Sequence, residues 1–282
     1  MLLLRMRAML PRLHGALGSR YQSTGTASPP DTSTSASTSN SEVTEGNGAL
    51  NKLIVFGGRG FVGSAIVQEA VEQGLQVVSV SRSGTPPVQR HSWMESVQWV
   101  RGNALEPRTY EALLPGALAA ISCVGAFGSQ EHMLQTNGVA NVAAIEAAAQ
   151  AGIPRFVFIS AAIPNIPGLE YLLGGYVNGK RMAEEALQSH YPQGGVALRP
   201  GAIYGNRVIS SSLTLPLQYV FQPLEALLAH LPSRQLSQLP LLGAALTPPV
   251  PVQAVARAAV KAATDSNVAP GILDVWDIQQ YK

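Results

Sequence analysis

Two clusters of residues in this 282-residue chain have the types and spacing to do chemistry. The first is Gly57-Gly58-Arg59-Gly60-Phe61-Val62-Gly63, which reads G-x-G-x-x-G from Gly58 and G-x-x-G-x-x-G from Gly57. It follows a short apolar run, Lys52-Leu53-Ile54-Val55-Phe56, and precedes a helical pattern over 64–73. In such a turn one glycine permits the bend, one lets backbone N–H groups approach a pyrophosphate, and one lets the helix lie close on the strand. The helix N-terminus then meets the phosphates with unpaired N–H groups and the positive end of its dipole. Between a strand and a helix, this motif specifies a dinucleotide site. The second cluster is Tyr176 and Lys180, four apart at the start of a predicted helix and so on one face. Beside a nicotinamide such a pair moves protons: the cation favours the ionised phenol, and tyrosine exchanges a proton with a carbonyl or hydroxyl. The lysine can also bond the nicotinamide ribose.

Strand and helix signals alternate from Leu50 onward, the pattern of a parallel sheet with crossover helices. The expected fold is α/β: a Rossmann-type doubly wound sheet with a small C-terminal subdomain. A second strand, Gln76-Val77-Val78-Ser79-Val80, ends at Ser81-Arg82-Ser83. NAD-preferring sites place an acid here for the ribose 2′-hydroxyl, and this chain has none. Arg82, the two serines and Arg59 could instead hold a 2′-phosphate, which argues for NADP(H) over NAD(H). The third strand, over 97–100, runs to Arg101-Gly102-Asn103 and Ala104, at the adenine edge. The fourth is expected over 119–124, bringing Val124 and Gly125 beside the cofactor path, with Cys123 a buried apolar residue. A helix over 131–151 carries Asn137 near its start; strands over 155–159 and 195–198 flank a helix over 176–188.

Taken together, the first-turn glycines, Gly125, Asn137, Phe156-Val157-Phe158-Ile159-Ser160, Tyr176 with Lys180, and Arg199-Pro200-Gly201-Ala202-Ile203-Tyr204-Gly205 resemble a short-chain dehydrogenase/reductase of the extended or atypical type. Residues 248–256, PPVPVQAVA, resemble that group's C-terminal signature. Within the group, the stretches YLLGGYVNGKR (171–181), LSQLPLLG (236–243) and TPPV (247–250) are most similar to mitochondrial NAD(P)-binding proteins linked to coenzyme Q biosynthesis. Those proteins are relatives of the Rossmann-fold accessory subunit of respiratory complex I. The resemblance covers residues 50–282. It implies dinucleotide contacts at Gly57, Gly58, Arg59, Gly60, Phe61, Val62, Gly63, Ser81, Arg82, Ser83, Asn103, Ala104, Val124, Gly125 and Lys180. It implies catalytic roles for Tyr176, Lys180, Ser160 and Asn137, with Asn137 a supporting polar group. One departure stands out. The group usually has a serine pair after the fifth strand, the second serine polarising the substrate carbonyl; here the pair is Ser160-Ala161. Loss of such a donor costs on the order of 10²–10³ in rate.

The rest of the composition bounds the function. The chain is 46% hydrophobic and only 13% charged, with a formal net charge of +2. Arg5, Arg7, Arg12 and Arg20 all precede the first acid, Asp31, leaving 15 basic against 17 acidic residues in the body. That body carries no nucleic-acid footprint. A single cysteine excludes an intramolecular disulfide and a cysteine-based zinc site, and the five histidines lack metal-ligand spacing. Residues 1–22, arginine-rich and acid-free, have the composition of a mitochondrial targeting presequence. Chloroplast import is the alternative, because Ser and Thr crowd the stretch that follows. Residues 23–48 read as a disordered Ser/Thr-rich linker. The NAD(P)-binding domain is expected over 49–205 and a substrate or partner subdomain over 206–282. There Leu224, Leu227, Leu228 and Leu231 fall at helical spacing, as a packed helix, a lid for an isoprenoid-tailed substrate, or a surface resting on a membrane or partner. Two functions remain open. One is an NADP(H)-dependent oxidoreductase of the matrix, possible also as a peripheral inner-membrane protein, acting on a quinone-like substrate. The other is a cofactor-stabilised scaffold of a coenzyme Q synthesis complex or complex I.

Overall fold

The computed structural model describes residues 51–163, 168–210, 213–216 and 247–282. The leader, the linker, the 223–231 leucine stripe and the 236–243 stretch lie outside the described residues. Seven parallel strands form one sheet in the order β11-β6-β5-β4-β1-β2-β3. These are β1 (Lys52–Phe56), β2 (Gln76–Ser81), β3 (Val97–Arg101), β4 (Ala119–Ser122), β5 (Phe156–Ile159), β6 (Gly195–Leu198) and β11 (Gly271–Leu273). The chain reverses direction across the sheet between β1 and β4, which pair in register from Leu53↔Ala119 to Phe56↔Ser122. That is the topological switch point where doubly wound folds bind ligands.

Alternation along the central strand divides the core. Leu53 and Val55 face one side, Ile54 and Phe56 the other, and all four are fully buried. Helices α1 (Phe61–Glu72) and α5 (Val252–Thr264) cover the first side, with Ile66, Val67 and Ala70 meeting Val255, Ala258 and Ala259. Helices α3 (Ala140–Gln150) and α4 (Leu169–His190) cover the second, through Ala144, Ile145, Ala183 and Leu187. Outside this sheet, β7 (Ile203–Tyr204) pairs with β10 (Val250–Pro251), and β8 (Asn206–Ser210) with β9 (Leu213–Pro216). A last helix, α6 (Val275–Gln279), opens with a capping box of Asp274 and Asp277.

Several expected boundaries move for physical reasons. The sheet does not end at residue 205: β11 extends it beyond β6, and α5 supplies a large share of one core. Strand β4 stops at Ser122 rather than 124; beyond it the Val124 carbonyl accepts from the Asn141 side chain instead of a neighbouring strand. The helix expected over 131–151 is three pieces: α2 (Gln130–Leu134), a π-helical turn over Gln135–Val139, and α3. Helix α4 begins at Leu169, seven residues before Tyr176, but breaks at Leu173 (φ −123°, ψ 20°). Tyr176 therefore stands in the first turn of the unbroken part.

Candidate functional site: a glycine-walled cleft and a Tyr–Lys pair

At the carboxyl ends of β1, β2, β3 and β4 lies a cavity of about 480 Å³. Gly57, Arg59 and Gly60 form one wall, and Ser81, Arg82 and Ser83 another. Asn103 and Ala104 come from the turn after β3, Val124 and Gly125 from the loop after β4. Ten of the expected dinucleotide residues are thus brought together. Gly58, Phe61, Val62, Gly63 and Lys180 are not among the lining residues. Leu105 and Thr136 line the cavity without any sequence signal having marked them.

The first turn is built for a backbone approach. Gly57 has φ +79°, and a Cβ there would stand 3.2 Å from the Cys123 carbonyl group. Gly63 could carry no side chain, since its Cβ would lie 2.2 Å from the Gly57 oxygen. The turn closes by Gly60 N–H donating to the Gly57 carbonyl at 3.0 Å, and α1 starts at once. On the opposite wall Ser81 accepts from Gly84 N–H through both its carbonyl and its hydroxyl, and Ser83 lies 3.4 Å from the Ser81 hydroxyl. Arg59 reaches across by donating to the Pro86 carbonyl at 3.3 Å. The charged side chains on the described wall are Arg59 and Arg82; no carboxylate joins them. Asn103 spends its side chain on its own turn, donating to Glu106 at 2.8 Å.

Behind Gly125 two polar groups meet. A Cβ on Gly125 would lie 2.9 Å from Asn137 Oδ1 and 3.7 Å from Lys180 Nζ. Asn137, fully buried in the π-helical turn, donates to the Ala126 and Met133 carbonyls at 2.8 Å and accepts from Ala126 N–H. It holds the loop that shapes the end of the cleft, the kind of place where π-bulges recur. Asn141, one turn on, donates to Val124, Thr136 and Asn137 carbonyls and accepts from Ser122. Sequence reading missed Asn141, although an Asn pair spaced by four was visible.

Lys180 is 5% exposed and donates to the Ile159 carbonyl at 2.7 Å. Its ammonium sits 4.6 Å above the Phe158 ring and 5.8 Å from the Tyr176 ring centre. Burial pulls its pKa down to about 8, opposed by Cys123 and Glu184. Tyr176 is half-buried with its ring stacked on Phe127 at 4.9 Å, and burial raises its pKa. The expected lowering by the lysine cation is not seen; burial alone sets the direction. Cys123 is likewise pushed up to about 12 by burial, which keeps the thiol neutral. Ser160 does not join the pair. Its hydroxyl donates to Glu184, whose carboxylate is gripped by Arg199. The hydroxyl expected to be catalytic is committed to a structural network, and Ala161 offers no replacement. Among the described residues no group of three metal-ligating side chains exists, and no helix is long and apolar enough to cross a membrane.

A parallel sheet with this turn, this switch point and a Tyr–Lys pair behind them defines a Rossmann-fold dinucleotide-binding protein of the short-chain dehydrogenase/reductase type. The chain belongs to the family described as NAD(P)H-binding, which matches residues 57–207. It is 42% identical over 233 residues to an uncharacterized chloroplastic protein of Arabidopsis thaliana, covering 82% of this chain and 76% of that one. It is 44% identical over 91 residues to MIOREX complex component 2 of Saccharomyces cerevisiae, covering 31% and 33%. Among solved structures it is similar to the enzyme WbmH of Bordetella bronchiseptica in complex with NAD+. That likeness is in fold, with a TM-score of 0.55 at 20% identity over 79% of this chain and 75% of that one.

Proposed function

We propose that the chain is an NADP(H)-dependent oxidoreductase of an organelle, reducing or oxidising a small carbonyl or alcohol at Tyr176. The observation that carries this reading is the approach of Asn137 and Lys180 to Gly125, which lines the cleft, with Tyr176 on the same face of α4 as Lys180. The cleft fits a dinucleotide: the Gly57 turn keeps open a space that a Cβ would fill, and the volume is that of a small-molecule site. Two guanidinium groups and no acid on its wall support a 2′-phosphate. A bound dinucleotide supplies the hydride chemistry. The chain's own part is as follows. The turn around Gly57, Gly60 and the start of α1 offers N–H groups to the pyrophosphate. Ser81, Arg82, Ser83 and Arg59 hold the 2′-phosphate, and Asn103 and Ala104 border the adenine. Lys180 bonds the ribose and steadies charge beside the phenol, while Tyr176 gives its proton to, or takes it from, the substrate oxygen. Asn137 acts by holding the Ala126 loop. The resemblance of residues 171–181, 236–243 and 247–250 to coenzyme Q-linked proteins supports a quinone-like or isoprenoid-tailed substrate, and the acid-free arginine leader supports mitochondrial import. The Arabidopsis relative's chloroplastic name favours the other organelle. Residues 1–48 fused to a fluorescent protein decide between the two.

A second reading is favoured by a specific observation. Ser160 is bound to Glu184 and Ala161 follows it, so the carbonyl-polarising donor is absent, and the yeast relative is named as a complex component. In this reading a dinucleotide bound only to the folded state stabilises a scaffold within a larger assembly. Thermal unfolding with NADPH, NADP⁺, NADH or no ligand tests the shared premise. A rise with NADPH that Arg82→Ala abolishes supports the cleft assignment; no shift with any nucleotide overturns it. Retention of full cellular function by Tyr176→Phe overturns the oxidoreductase and leaves the scaffold.

A further inference from the structure

We propose that Gln130 is a positioning residue for the Tyr176 phenol, its amide spanning the break in α4 and fixing where the turn that bears Tyr176 begins. This rests on the oxidoreductase reading above. At a helix break the carbonyls before it and the N–H groups after it lose their partners. Gln130, the first residue of α2, replaces them from outside. Its Nε2 donates to the Tyr171 and Leu172 carbonyls at 2.9 and 3.1 Å, and its Oε1 accepts from Gly175 N–H at 2.6 Å. One side chain thus serves three backbone groups on both sides of Leu173. A primary amide does so because it combines two donors with an acceptor.

The attachment is tight at the backbone as well. A Cβ on Gly175 would lie 2.0 Å from the Gln130 carbonyl oxygen, so this turn of α4 rests directly on α2. Tyr176 is the next residue. One turn later Gly179 rests on Gly138 in the same way. The glycines set how closely α4 approaches; the Gln130 amide sets the direction in which its first turn winds, and hence where the phenol points. Gln130 is itself exposed, so truncating it opens no cavity. A large effect on Tyr176 with little effect on stability is the signature of positioning.

The test uses the full chain with Gln130→Ala, Gln130→Glu and, as reference, Tyr176→Phe. Glutamate keeps the acceptor for Gly175 but sets a carboxylate against two carbonyls. NADPH oxidation with phenanthrenequinone as carbonyl probe is expected to fall about 10–100-fold in kcat for Gln130→Ala. The KM for NADPH should stay within about twofold and the melting temperature within about 2 °C. Gln130→Glu, which loses both donors and repels the two carbonyls, should fall at least as far as Gln130→Ala. An ultraviolet difference titration, each protein against its own Tyr176→Phe counterpart, should show the phenol ionising nearer the ordinary tyrosine value once Gln130 is truncated. Unchanged kcat with an unchanged titration overturns the proposal. So does a loss of kcat matched by equal losses of NADPH affinity and melting temperature. If the parent protein is inactive or Tyr176→Phe keeps its activity, the oxidoreductase reading fails, and the titration alone decides whether Gln130 places the phenol.

Discussion

Gly138 and Gly179 meet backbone to backbone: a Cβ on Gly179 would stand 2.8 Å from the Gly138 nitrogen, and one on Gly138 would stand 2.9 Å from Gly179 Cα. The π-helical turn that carries Asn137 and the helix that carries Lys180 are therefore in direct main-chain contact. Gly179→Ala must push them apart. The expected cost is about 1–3 kcal/mol, typical of overpacking, measured by chemical denaturation. A variant within about 0.5 kcal/mol of the parent would show that α4 shifts freely here.

Lys180 weakens the fold at neutral pH. Its pKa falls from 10.5 unfolded to about 8 folded, because burial penalises the ammonium. Between about pH 8 and 10.5 the unfolded chain holds more protons at this site, so its contribution to stability rises with pH. Below about pH 8 both states are charged and the penalty is constant. Lys180→Met should therefore be more stable at pH 7, by about 1–2 kcal/mol after the lost bond to Ile159. That advantage should shrink towards pH 10.5 while NADPH affinity falls. An advantage independent of pH would place its origin in packing rather than in the charge.

Ser79 lies fully buried in β2 and its hydroxyl has no partner. It sits under Gly58, close enough that a larger residue would collide with the first turn. Ser79→Ala removes an unsatisfied polar group and keeps the small volume. Stability should rise by about 1 kcal/mol in denaturant titration, with NADPH binding unaltered. A loss of stability would mean that an ordered water satisfies the hydroxyl.

Glu184 joins Ser160 to Arg199 and so ties α4 to the ends of β5 and β6. Glu184→Ala should cost about 1–3 kcal/mol, because Arg199 and Ser160 both lose their partner. Ser160→Ala removes one hydrogen bond and should cost about 1 kcal/mol with little change in NADPH oxidation. A fall of two orders of magnitude in rate for Ser160→Ala, at unchanged stability, would restore this serine to the reacting centre.

Much of the cleft is legible in the amino-acid sequence. The strand–glycine–helix order placed Gly57 and Gly60, and the absent acid after β2 directed attention to Arg82, because local chemistry there answers to residues adjacent in the chain. The Tyr–Lys pair was visible for the same reason: a spacing of four selects one helical face. The apolar runs of β1, β2, β5 and β6 were likewise legible, since strands buried on both faces need near-continuous hydrophobics.

What local sequence could not decide were the contacts between distant segments. Gln130 acts on residues 41–45 positions away, Asn141 on Ser122, and Glu184 on Ser160 and Arg199. Each is an ordinary polar residue in an ordinary helix until the fold sets a backbone or hydroxyl beside it. The same holds for Ser160, whose hydroxyl bonds to a carboxylate one turn past Lys180 that the sequence alone did not place beside it. Burial, too, raises Tyr176 where the spacing had suggested a lowering by Lys180, because desolvation is a property of the packed surroundings and not of the spacing. The amino-acid sequence by itself determined the fold class, the nucleotide turn and the pairing of tyrosine with lysine, all of them periodic or contiguous patterns. Only the tertiary structure decided which polar groups hold that pair in place, since such bonds depend on distances that exist only after the sheet and its helices have packed.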